Sequence, residues 1–224
     1  MGDGKLIVFD YDGTLFDTRP AIHYALTHAF AAHGRPLPPD REVATAIAQG
    51  TTLDDTLLIL DPGLGRDRAA LDDLVLSYRA LYLDAAEPLL RPYPGVSKAL
   101  GQLHAMGTAS LVVSNKGLAA IHRSLAANGL AAFVAAVYGD EPGLPKKPDP
   151  AILTQHVLPR LGQTQRERML VVGDTATDIM FAKAAGLPCC WVSYGYGAID
   201  RCRALAPEHE ISSIDQLPAL VARL

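Results

Sequence analysis

The sequence predicts an α/β fold: a parallel-sheet core with an inserted helical cap subdomain. Three observations lead there. First, five short apolar runs, at residues 6–9, 110–113, 134–138, 170–172 and 190–192, are rich in Val, Ile and Leu, and several are continuous rather than alternating. Continuous runs suit strands covered on both faces, as in a parallel sheet. Second, helical patterns at 97–106, 118–128, 150–161 and 178–185 lie between the later runs. Alternating strand and helix implies parallel strands joined by right-handed crossovers, a Rossmann-like arrangement. Third, about a hundred residues, 11 to 109, separate the first run from the second, where a single helix suffices for a crossover.

That surplus reads mostly as helix, at 21–33, 41–48, 53–60 and 69–83. We therefore assign residues 17–90 to a helical cap domain, and residues 1–16 and 91–224 to the α/β core domain. The borders have linker chemistry, Asp17-Thr18-Arg19-Pro20 on one side and Arg91-Pro92-Tyr93-Pro94-Gly95 on the other.

Composition narrows the function. The 224 residues are 49% hydrophobic and 20% charged, with a net charge of −4, ordinary for a soluble globular protein. Without a basic face, nucleic acid is not the expected partner. An anionic substrate has to be attracted locally, by a metal ion or a few cations. Cys189, Cys190 and Cys202 make a poor disulfide framework and suit a reducing compartment. No signal peptide is evident. The longest uncharged stretch, 124–139, is too short to cross a bilayer and contains Asn128 and Gly129. A cytoplasmic protein without membrane contact, a monomer or weak homodimer, is expected.

In open parallel sheets ligands sit beyond the carboxyl ends of the strands, where chain order switches direction. The first run ends in Asp10-Tyr11-Asp12-Gly13-Thr14. Two carboxylates two residues apart on extended chain point the same way, and they repel unless a cation or proton is shared. An acidic turn has a similar composition. The second run ends in Ser114-Asn115, an anion-binding pair at a helix start or an ordinary cap. The third is followed by a loop to Lys147, held extended by Pro148; Asp149 caps the helix that follows. The fourth ends in Gly173-Asp174, with Asp178 one helical turn on. Three carboxylates, a hydroxyl–amide pair and one lysine thus collect at four strand ends. Oxygen-only ligands select a hard ion such as Mg²⁺, and no His or Cys in the set favours zinc.

These four motifs, in this order and covering essentially the whole chain, resemble the haloacid dehalogenase-like (HAD) superfamily, and within it the phosphoglycolate phosphatase-like group with a helical cap after the first motif. The resemblance implies a HAD-like core and a Mg²⁺-dependent phosphatase, a phosphoric monoester hydrolase acting on a small phosphorylated metabolite (phosphoglycolate-like, a sugar phosphate or a nucleotide). It implies that Asp10 is the nucleophile and forms an aspartyl-phosphate, and that Asp12 is the general acid and then the base. Thr14, Ser114, Asn115 and Lys147 are implied to hold the phosphoryl group. The Asp10 carboxylate, the Asp12 carbonyl and the Asp174 carboxylate are implied to hold Mg²⁺, with Asp178 behind them.

The dehalogenases of the superfamily lack the second carboxylate, so Asp12 argues against dehalogenation. Its phosphonatases use a cap lysine, and residues 17–90 contain no Lys. A sugar-phosphate mutase is the alternative enzyme. Its relatives carry basic residues in the cap loop, whereas Ala48-Gln49-Gly50-Thr51-Thr52-Leu53 has no cation, with Arg19 and His23 left to compensate. A phospho-accepting regulatory module without turnover is the alternative outside enzymes; the cap and Asp12 speak against it. Gln49, Gly50 and Thr51, with Arg19, are the candidates for sensing the substrate, and a plain helix–helix turn suits the loop nearly as well.

Overall fold

Leu6–Phe9 form β1, and all four residues are buried. Such a strand needs neighbours on both edges and cover on both faces. A computed structural model, describing residues 4–36, 38–160 and 166–224 without the side chains of 85–87 and 160, gives it both. After β1 come β2 (Phe16–Asp17), α1 (Arg19–Ala32), α2 (Asp40–Ile47), α3 (Leu53–Leu60) and α4 (Arg68–Leu81). The chain returns through β3 (Arg91–Pro92), which pairs antiparallel with β2. It continues through α5 (Val96–Ala105), β4 (Ala109–Gly117), α6 (Leu118–Ala127), β5 (Ala136–Asp140), β6 (Met169–Gly173) and α7 (Ala176–Ala185). It ends with β7 (Cys189–Val192), α8 (Ile199–Ala204), β8 (His209–Ile211) and α9 (Leu217–Val221).

The six-stranded sheet has the order β5-β4-β1-β6-β7-β8, and every pairing in it is parallel. Chain order reverses at β1, which has β4 on one side and β6 on the other. Phe9 lies in register with Val112 and Val172, so Asp10, Val113 and Gly173 follow at one level, and β4 runs on beyond the expected end of its run, through Ser114 and Asn115 to Gly117. Alternate residues serve opposite faces. Ile7, Phe9, Val112, Leu170 and Val172 join one buried cluster, and Leu6, Val8, Leu111, Val113 and Val171 the other. This is why the runs are continuous in sequence.

The helical cap enters and leaves the core through the β2–β3 pair, where Phe16 faces Pro92. Differences from the sequence reading are local. β2, β3 and β8 have two or three residues each, too few for a periodicity to register. β5 starts two residues later than the apolar run suggests. The expected helix over 150–161 is a wide turn, Ile152–Val157, then a tight one, Leu158–Arg160; residue 161 lies outside the described residues. All three cysteines are buried and free. Among the described residues, no helix is long and apolar enough to cross a membrane.

Tyr11, between the two first-motif aspartates, is fully buried. Its hydroxyl meets Ser124 Oγ on α6, which fixes the chain direction at the end of β1. Ser124→Ala strands the buried phenol and costs about 1–3 kcal/mol, a fall of roughly 2–12 °C in Tm for a chain of this size. Adding Tyr11→Phe recovers most of the loss. Urea or thermal unfolding of the two variants checks this, and an unchanged Ser124→Ala stability contradicts it.

Candidate active site

The strand ends bring Asp10, Asp174 and Asp178 together: one carboxylate oxygen from each lies within 4.8 Å of the others. All three are buried. Asp10 follows β1 directly, and its N–H donates to the Val172 carbonyl at 2.8 Å. Lys147 reaches in from the loop after β5. Its Nζ donates to Asp10 Oδ1 and to Asp178 Oδ1, both at 2.6 Å. Asn115 aims it: the Lys147 N–H donates to Asn115 Oδ1 at 2.9 Å, and Asn115 Nδ2 donates to the Lys147 carbonyl at 3.0 Å. The second oxygen of Asp178 accepts from the N–H and hydroxyl of Thr175 at 3.0 and 2.7 Å, capping α7. Asp178 therefore holds a lysine and a helix start at once.

Asp174 has no exposed surface. The Thr14 hydroxyl donates to its Oδ1 at 3.1 Å, and the Tyr196 N–H donates to its Oδ2 at 2.7 Å. Glycines make room for it. A Cβ on Gly13, where φ is +77°, would lie 2.2 Å from Asp174 Oδ2, and one on Gly195 would lie 2.2 Å from Asp174 Cβ. No side chain fits at either place.

The charges do not balance. Burial pushes the Asp10 carboxyl up to about 7; Lys147 pulls it back, and Asp178 and Asp12 push it further. Burial also holds Asp174 well above the usual carboxylate range, with repulsion from Asp178 and Asp10 added. For Lys147, burial works against the charge, but Asp10 and Asp178 outweigh it and its pKa rises. One ammonium faces three carboxylates. An all-oxygen cluster with surplus negative charge suits a hard divalent cation. Asp174 and Asp178 each have a hydrogen-bonded partner on both oxygens, and Asp10 accepts from Lys147 on Oδ1.

A cavity of about 470 Å³ lies over the cluster, lined by Asp10, Asp12, Ser114 and Lys147 from the core and by Leu26 and Tyr78 from the cap, among others. Asp12 turns away from the triad, with Oδ1 3.1 Å from Lys116 Nζ. The cap loop is down on the core. Thr177 donates to the Gln49 carbonyl at 2.8 Å, Asn115 Nδ2 to the Gly50 carbonyl at 3.3 Å, and Arg201 to Gln49 Oε1. Gly50 and Thr51 line the cavity, whereas Gln49 and Arg19 lie outside its lining; the Arg19 guanidinium stacks 4.5 Å above the Tyr196 ring. Two residues join the site beyond those the sequence singled out. Lys116 directly follows the Ser114-Asn115 pair. Tyr196 sits in the glycine-flanked loop after β7, a strand end of the same sheet.

The haloacid dehalogenase-like hydrolase family pattern matches residues 7–192, so the chain belongs to that family. A phosphoglycolate phosphatase of Mesorhizobium japonicum is 34% identical over 97% of this chain and 94% of its own length. One of Vibrio parahaemolyticus is 30% identical over 98% and 97%. The structure of a haloacid dehalogenase-like hydrolase from Bacteroides fragilis superposes with a TM-score of 0.86 at 24% identity, covering 96% of this chain and 99% of that one. Within the family the chain is a phosphatase of the phosphoglycolate phosphatase-like group, a phosphoric monoester hydrolase.

The raised Asp10 pKa carries a sign. Asp10 stabilises the metal-free fold in full below its ordinary pKa of 3.8, and that contribution is lost as pH rises through about 7. A cation binds the deprotonated form. Mg²⁺ therefore raises Tm more at about pH 8 than at about pH 5. Melts with chelator and with Mg²⁺ at both pH values check this; an equal gain at both contradicts it.

Proposed function

We propose that the protein hydrolyses a small phosphate monoester with Mg²⁺, carrying the phosphoryl group on Asp10. The observation that carries the reading is the Asp10 carboxylate lining the cavity, clamped by Lys147, with a second carboxylate, Asp12, in the same lining. In the first half-reaction an Asp10 oxygen bonds to phosphorus as the bond to the ester oxygen breaks. The departing oxygen takes a proton from Asp12. In the second half, Asp12 takes a proton from water, and the water oxygen displaces Asp10 from phosphorus. Inorganic phosphate leaves, and Asp12 is again protonated. Splitting the displacement in two in this way lowers each barrier.

Ser114 and Lys147 hold the phosphoryl oxygens. The Thr14 hydroxyl orients Asp174, and the Asn115 amide orients Lys147. The Asp10 and Asp174 carboxylates and the Asp12 carbonyl would hold Mg²⁺, with Asp178 behind them. The ion supplies positive charge that offsets the repulsion between a carboxylate and a phosphate dianion. Residues 17–90 act as a cap over a core of 1–16 and 91–224, admitting substrate when open and excluding bulk water when closed. Because the curated relatives are phosphoglycolate phosphatases, 2-phosphoglycolate is the first substrate to test.

Asp10→Asn abolishes turnover of p-nitrophenyl phosphate while the protein stays folded. Asp12→Asn lowers kcat by about 10²–10⁴-fold. Steady-state assays with circular dichroism on the same samples decide; substantial activity in Asp10→Asn removes the nucleophile from the scheme.

A further inference from the structure

The cavity contains a second buried cation that this chemistry leaves unused. The Lys116 side chain is 7% exposed, yet it lines the cavity together with Asp10 and Ser114. Its Nζ lies 3.1 Å from Asp12 Oδ1 and 3.8 Å from the centre of the Tyr82 ring, a cation–π contact. Burial works against its charge, and Asp12, Tyr78 and Tyr11 outweigh that and raise its pKa. The ammonium is thus held charged inside an aromatic corner of the site.

Asp12 Oδ1 meets the Lys116 ammonium at 3.1 Å. One buried polar atom beside them, Tyr82 Oη, has no hydrogen-bond partner among the described residues. Buried polar atoms are seldom left in this state. Tyr82 is 5% exposed and lines the same cavity, so its hydroxyl is a donor waiting for an acceptor there. The other cations of the cavity are engaged. Lys147 is held by Asp10 and Asp178, and the half-exposed Arg79 is held by Asp140 at 2.6 Å.

We propose that Lys116 and the Tyr82 hydroxyl form a subsite for a second anionic group of the substrate, selecting phosphate monoesters that carry a carboxylate a few bonds from the ester oxygen. The inference rests on the phosphatase reading above. Ser114 and Lys116 are two residues apart on β4, so their Cα atoms are roughly 6–7 Å apart. A two- or three-carbon ester bridges that span with its phosphate at Asp10. The arriving carboxylate draws Lys116 off Asp12 and leaves the Asp12 carboxyl free to face the ester oxygen. Lys116 belongs to the core and Tyr82 to the cap side. The subsite is therefore complete only when the cap is closed, and the second anion draws the cap down.

The test compares 2-phosphoglycolate with 2-hydroxyethyl phosphate, an ester of similar length ending in an alcohol. The readout is the ratio of their kcat/KM values in the wild type, Lys116→Met, Lys116→Arg and Tyr82→Phe. The wild type favours the carboxylate. Lys116→Met lowers the ratio by about 10- to 100-fold, Tyr82→Phe by roughly 10-fold, and Lys116→Arg retains part of the preference. A wild type without preference, or a ratio unchanged in Lys116→Met and Tyr82→Phe, overturns the subsite. Should Lys116→Met not fold, Tyr82→Phe decides by the same ratio. A wild type that hydrolyses neither ester, nor p-nitrophenyl phosphate, overturns the phosphatase reading and the subsite with it; hydrolysis of both at an unchanged ratio overturns the subsite alone.

Discussion

The structure depends on one buried lysine between two aspartates. Lys147 Nζ is 2.6 Å from both Asp10 and Asp178, and its side chain is only 4% exposed. Removing one partner from a buried ion pair costs about 3–5 kcal/mol. The surroundings are accordingly arranged to keep the set intact. Asn115 grips the Lys147 backbone on both sides, and Thr175 grips Asp178. The parallel register brings the carboxylates to one level, and the lysine lets them stay there. The negative charge that remains gives the site its call for a divalent cation.

The same economy joins the cap to the site. Tyr196 donates its N–H to Asp174, while its hydroxyl accepts from the N–H groups of Thr18 and Arg19 at 2.6 and 2.9 Å and donates to Asp17 at 2.9 Å. These three residues join β2 to α1. One tyrosine therefore touches both the buried Asp174 carboxylate and the chain that leads into α1. On the far side of the cavity, Gln49 and Gly50 rest on Thr177, Arg201 and Asn115. Asn115 belongs to both systems: its amide touches the Gly50 carbonyl of the cap loop and both backbone groups of Lys147.

Much of this was legible in the sequence, for physical reasons. A strand buried on both faces has to be continuously apolar, which exposed β1, β4 and β6. Motifs placed at or beyond the carboxyl ends of such strands had to converge, because parallel strands end on one side. That convergence gave Asp10, Ser114, Lys147 and Asp174 their positions. Side-chain direction was less legible. The Thr14 hydroxyl faces Asp174, and the Asn115 amide serves Lys147 and Gly50; in each case the partner belongs to a residue more than thirty positions away in the chain. Lys116 carried no motif of its own: a lysine after a strand is ordinarily solvated, and only the packing of Tyr82 over it makes it a buried charge. Tyr196 was marked only by its flanking glycines, whose purpose is visible once Asp174 is packed against them.

The central claim is that Asp10 carries the phosphoryl group. Rapid acid quench of the enzyme during turnover with Mg²⁺, followed by peptide mass mapping, tests it most directly. The account predicts a transient phosphoryl adduct on the peptide containing Asp10, absent when the metal is chelated. Product formation with an adduct on another residue, or with no adduct at any time within the first turnover, would contradict it.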